Sequence, residues 1–177
     1  MLAVVACMFL LASCTTTPKV YFSQGMRNTV KATGKTPKDL QYYVDTDIEL
    51  RRELTSDTVQ ITRGSVVFEN GKYVHVIKLK KFTPGICINY KDSARLDIAF
   101  DDTDDKFLTF GVNNATSPSS IYVIFADEWK NKRGKIIYEG KEFFISPSGA
   151  DAQLMIKKND KKLSEGKQRV MKGRTLE

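Results

Sequence analysis

From residue 44 the chain alternates, with Val44, Thr46, Ile48 and Leu50 interleaved with Asp45, Asp47 and Glu49. A period of two marks a strand with one buried face. A helical reading competes, because Leu40, Tyr43, Val44 and Ile48 also fit a 3.6 spacing. Thr36-Pro37-Lys38-Asp39 ahead of them suits the start of a short helix, with Pro at its first position. The strand is preferred, because the rest of the pattern is of that kind. β-Branched and aromatic runs follow at Thr58–Arg63 and Ser65–Glu69, around Gly64. Asn70-Gly71 lies between Val66-Val67-Phe68 and Tyr73–Ile77, the strongest short-range signal for a two-residue hairpin. Pro84-Gly85 turns the chain into Ile86–Tyr90, and further runs are Leu96–Phe100, Phe107–Phe110 and Ile121–Phe125. Lys135–Tyr138, Glu142–Ile145 and Ala152–Ile156 complete the series, with Glu139-Gly140-Lys141 as another tight turn. About ten short strands at this spacing, with almost no helical periodicity between them, predict a mainly β fold: an antiparallel sandwich or barrel.

The two ends depart from this pattern. Leu2–Ala12 is an unbroken apolar run of 11 residues. A membrane-crossing helix needs ~20, whereas the apolar centre of an export signal needs only ~7–15. Residues 14–36 are rich in Thr, Lys, Ser and Gly, with few apolar positions, and read as a flexible tether. The expected division is therefore a leader over 1–13, a tether over 14–36, one β domain over 37–158 and a tail over 159–177. In that tail Leu163, Val170 and Met171 could share one face of a short helix, but Gly166 and Gly173 weaken it.

Small residues end the apolar run, and Leu11-Ala12-Ser13-Cys14 resembles the lipobox of bacterial lipoproteins. That resemblance implies cleavage before Cys14, acylation of its thiol and new N-terminus, and anchoring in a membrane. No Lys or Arg precedes the run, although export signals carry a positive n-region. We therefore expect a start further upstream. Thr15 is not the aspartate that, in lipoproteins of enteric bacteria, implies inner-membrane retention, and no acidic run follows the cysteine. The expected address is the periplasmic face of the outer membrane.

Charge and cysteine content sharpen these expectations. The chain carries +7, but Lys157–Glu177 holds eight basic against three acidic residues. The basicity belongs mostly to the tail, where it suits an anionic surface or an acidic envelope protein. Nucleic acid is not an expected partner of an exported chain. Beyond the leader only Cys14 and Cys87 remain. With Cys14 acylated, no disulfide forms and packing must hold the fold.

Candidate chemistry is sparse. His75, the sole histidine, and Cys87 would form a thiol nucleophile with its base if they met. Such a pair, or carboxylates such as Asp97 and Asp101, would make a periplasmic hydrolase. Against this, Ile86-Cys87-Ile88 is apolar, and cysteines in such surroundings are usually inert. Asp101, Asp102, Asp104 and Asp105 crowd one loop and offer oxygens to calcium, but without the spacing of an EF-hand. A solvated hairpin tip is the preferred reading. Asn113 and Asn114 open a long polar loop suited to recognition. Trp129 sits beside Lys130, Lys132 and Arg133, where its ring would stack on a ligand or anchor a loop. No phosphate-binding glycine loop, zinc motif or nucleophile elbow is present. The expected protein is a lipid-anchored envelope component whose β domain binds or supports without catalysis, and no cofactor is expected.

Overall fold

The computed structural model describes residues 17–55, 65–90 and 94–160. The leader, Cys14, the whole of Thr58–Arg63 and residues 161–177 of the tail lie outside them. Within the described residues thirteen strands form two antiparallel sheets, a β-sandwich as the alternation predicts. The seven-stranded sheet runs β1 (Lys19–Tyr21), β13 (Leu154–Lys157), β2 (Gln41–Val44), β6 (Pro84–Asn89), β7 (Arg95–Ala99), β8 (Phe107–Gly111), β9 (Val123–Ile124). The six-stranded sheet runs β10 (Glu128–Lys130), β11 (Arg133–Tyr138), β12 (Lys141–Ile145), β3 (Ile48–Leu54), β5 (Lys72–Leu79), β4 (Ser65–Glu69).

The seven-stranded sheet also curls until its ends meet. Tyr122 N–H donates to Phe22 at 3.1 Å, Leu154 N–H to Tyr122 at 2.9 Å and Ile124 N–H to Ala152 at 2.8 Å. These bonds satisfy backbone groups that an open edge would leave to water or to another chain. The inward positions of both sheets, among them Ile48, Leu50, Leu96, Ile98, Phe110, Phe143 and Ile145, form one continuous core.

Local rules account for the hairpins. Asn70 and Gly71 both have positive φ, at 51° and 77°, and close β4 onto β5. Glu139 and Gly140, at 52° and 68°, close β11 onto β12 in the same way.

Three expectations require correction. The single strand across 44–50 is two, because the chain changes sheets between β2 and β3. Asp45 Oδ1 accepts from Gln153 N–H and Asp47 Oδ1 from Lys81 N–H, both at 2.7 Å, and this fixes the corner. Pro37–Asp39 does form a 3-10 turn behind Thr36, whose N–H donates to Asp39 Oδ2 at 2.7 Å. Pro84-Gly85 belongs to β6 itself, paired with Tyr43 and Tyr42, so the turn precedes it.

The largest correction concerns the tether. From Lys19 onward residues 14–36 are part of the fold: β1 pairs with β13, and Gln24–Ala32 is helix α1. Ser23 caps α1 by accepting from Met26 N–H, while Gln24 N–H and Gly25 N–H donate to Ser120 and Pro118 at 2.8 Å. Phe22 is fully buried and Val30 nearly so. The domain therefore begins well before residue 37.

Candidate functional site

Between the two sheets, at the end where β5 leaves for β6, lies a cleft of about 350 Å³. Leu50, Ile77 and Leu79 from the six-stranded sheet form one wall. They share a face because Leu50 pairs with Ile77, and Ile48 with Leu79, along the β3–β5 ladder. The opposite wall is Phe100 and Leu108, and Tyr138 closes the side at the end of β11. A glycine places the Phe100 ring. A Cβ on Gly85 would lie 2.5 Å from that ring, so the aromatic face settles directly on the backbone of β6. Phe110 holds it edge-on, with centroids 6.2 Å apart.

The polar groups of the cleft are Lys78, Lys80, Thr83 and Asp101, with Lys80 and Asp101 exposed. Asp101 is not a loose carboxylate. It accepts from Asp102 N–H at 2.9 Å and from Lys106 Nζ at 3.2 Å, which hold its pKa below the ordinary value. The Lys106 side chain is only 10% exposed, and Nζ also lies 3.7 Å from Asp102 and 3.5 Å from Glu139. One buried cation thus ties the acidic loop to the β11–β12 turn beside the cleft. Burial pushes the Tyr138 hydroxyl up to about 12, with Asp101 and Glu139 adding to the effect. It therefore keeps its proton at neutral pH and can donate a hydrogen bond.

The other sequence candidates do not line this cleft, and His75 and Cys87 belong to different sheets. His75 lies on β5 in the six-stranded sheet, with its ring 5.5 Å from Phe143. Cys87 lies on β6 in the seven-stranded sheet, 4% exposed, and its Sγ donates to the Asn89 carbonyl at 3.2 Å. Burial raises its thiol to about 11, the opposite of what a nucleophile requires. Asp97 is buried and accepts from Thr109 Oγ1 at 2.8 Å and from Asn89 Nδ2 at 3.1 Å. These bonds occupy its oxygens.

Asp104 and Asp105 are exposed on the same loop as Asp101 and Asp102. Among the described residues no group of three or more His, Cys, Asp or Glu could hold a metal ion. Calcium would have to displace Lys106. Millimolar calcium is therefore expected to leave the melting temperature unchanged, because only a ligand of the native state raises it. A rise of several degrees in a thermal melt would overturn that reading.

Asn114 makes an Asx turn, its Oδ1 accepting from Thr116 N–H at 3.0 Å and from Thr116 Oγ1 at 2.7 Å. The polar loop that Asn113 and Asn114 open ends against the start of α1, through Pro118 and Ser120. It acts as a helix cap. Trp129 is on β10, not in a loop, and it lies 40% exposed against Gly134. A wider hollow of about 900 Å³ on the six-stranded sheet has Arg51, Lys72 and Arg133 beside Glu53, Glu69 and Glu142. Arg52 and Lys130 line it as well, and part of its charge is paired, Arg51 with Glu49 and Glu69 and Lys72 with Glu53.

Sequence reasoning missed a buried polar cluster. Arg27 Nη1 donates to the Tyr122 hydroxyl at 2.8 Å, and that hydroxyl donates to Gln24 Oε1 at 2.5 Å. All three side chains are buried in the curled sheet. Their signal was the helical spacing of Gln24, Arg27 and Val30, hidden because two of the three are polar. Comparison with protein-family models, with curated proteins and with solved structures finds no match to this chain.

Proposed function

We propose that the chain is a lipid-anchored component of the bacterial cell envelope, and that its β domain binds a ligand without catalysing a reaction. The observation that supports binding is the preformed apolar cleft between the sheets, with Lys78, Lys80, Thr83, Asp101 and the Tyr138 hydroxyl as its polar groups. Ligand sites are typically concave and mostly apolar, with a few placed polar groups. The hydrolase alternative has less support, since Cys87 is a buried, protonated thiol in a different sheet from His75.

Anchoring rests on Leu11-Ala12-Ser13-Cys14. Acyl chains at Cys14 would hold the protein at the periplasmic face of the outer membrane. Several chains anchor firmly where one binds only marginally, at ~0.8 kcal/mol per buried CH2. No helix among the described residues is long and apolar enough to cross a membrane. The basic residues of the tail would add attraction to anionic headgroups, roughly 1 kcal/mol for each one near the surface.

Cys14→Ser is expected to move the protein from the membrane fraction to the soluble fraction and to abolish labelling by palmitate. Each fraction is washed at low and high salt, because screening removes the tail's contribution and leaves the acyl anchor. Equal membrane retention and equal labelling of Cys14→Ser would sink the anchor.

A further inference from the structure

We infer that the cleft between the sheets takes a single-chain anionic amphiphile, such as a fatty acid or another one-tailed lipid acid. The inference rests on the binding-module reading and names the ligand class of that same site. Three observations carry it.

The first is the lining. Leu50, Ile77, Leu79, Phe100, Leu108 and Tyr138 offer a hydrocarbon surface continuous with the core. A ligand there removes its tail from water as core side chains do. The walls are preformed, since five of the six belong to paired strands and Phe100 is seated on Gly85.

The second is size. About 350 Å³ lies at the small end of ligand pockets. At ~30 Å³ for each water-sized group, it admits roughly a dozen such groups, enough for one medium chain and too little for two.

The third is charge. The Asp101 carboxylate is engaged by Lys106 and the Asp102 N–H. Glu49 lies 3.3 Å from Lys78, and the Lys78 side chain is 67% exposed. Lys78 is thus answered by Glu49, whereas Lys80, exposed and also lining the cleft, makes no ion pair among the described residues, which leaves one ammonium group for a head group. Lysine stems lie along apolar surface while their charge stays in water, and this suits the boundary between tail and head. A neutral tail alone would leave the Lys80 ammonium without a counter-charge.

The test uses the full chain carrying Cys14→Ser in detergent-free buffer, titrated with dodecanoate, octanoate and the uncharged dodecanol. Dodecanoate is expected to bind saturably, one per chain. Octanoate should bind more weakly by about fourfold for each methylene removed. Lys80→Glu is a surface change and should weaken dodecanoate about fivefold while sparing dodecanol. Ile77→Trp fills the cleft and should abolish binding of both, with circular dichroism confirming that the sheets persist.

If dodecanol binds as well as dodecanoate and Lys80→Glu changes neither, the anionic class is wrong and the binding cleft stands. If neither compound binds, the cleft reading falls along with the inference. If Ile77→Trp leaves dodecanoate binding intact, the amphiphile sits elsewhere and the proposal is overturned.

Discussion

Replacing Phe22 by alanine is expected to destabilise the protein by about 3–5 kcal/mol, the range for removing a large buried aromatic side chain. Phe22 is fully buried and lies edge-on to Tyr42, with ring centroids 5.3 Å apart, and it lies equally close to Tyr122. The change would remove the transfer energy of the ring. It would also remove two aromatic contacts, each worth about 0.5–1.5 kcal/mol beyond area, and it would leave a cavity. The site also joins two elements, because the Phe22 backbone donates to Leu154 and accepts from Tyr122 where the curled sheet closes. An ordinary domain has only about 5–15 kcal/mol in total. Urea unfolding should show a midpoint lowered by a large fraction, with an unchanged slope. Were residues 14–36 a tether, the same substitution would leave the midpoint where it is. The measurement therefore separates the two descriptions of this segment.

That contrast shows what the sequence makes legible. Alternation and turn chemistry are local, so β4–β5 and β11–β12 follow from Asn70-Gly71 and Glu139-Gly140 and their flanking apolar residues. α1 is not local in this sense. It buries Gln24 and Arg27, and partners far along the chain, among them the Tyr122 hydroxyl and the Arg95 carbonyl, satisfy them. A pattern of apolar and polar letters scores those two residues as solvent-facing.

The β10–β11 hairpin is hidden for a different reason. Asn131 and Lys132 both take positive φ, at 49° and 60°, without a glycine to announce the turn. Read as letters, Trp129–Arg133 is a basic loop; in the fold it is a strand, a turn and a strand. The cleft is the least legible feature. Asp101 drew notice as one carboxylate of four, but its meaning comes from Lys106, and the walls come from strands far apart in sequence. Ile77, Leu79 and Leu108 look like every other core position until the two sheets are seen to part between them.

The second large effect is expected in alkali. Burial raises the Cys87 thiol from 9.0 to about 11 and the Tyr138 hydroxyl from 10.0 to about 12. Burial also pushes Tyr42 well above its ordinary value. In the unfolded chain these groups lose their protons at their ordinary values, whereas in the folded chain they keep them longer. The unfolded state therefore binds fewer protons as pH rises, and stability falls. The contribution is fully present below about pH 9 and is lost progressively by about pH 12. Two units at Cys87 and two at Tyr138, at ~1.4 kcal/mol per unit, give a loss on the order of 5 kcal/mol. Both residues are under a tenth exposed, and solvent screening at the titrating atoms makes that figure an upper bound. Urea midpoints measured from pH 8 to pH 12 should decline steeply. Cys87→Ala together with Tyr138→Phe should flatten the decline and leave the share of Tyr42. A double variant whose curve parallels the parent would show that these groups titrate normally in the fold. Their burial would then not be what holds them neutral. The same desolvation keeps Cys87 a thiol at neutral pH, so the alkaline curve also tests whether this domain has a cysteine able to attack a substrate. A steep decline that Cys87→Ala alone lessens means that Cys87 is held as a thiol.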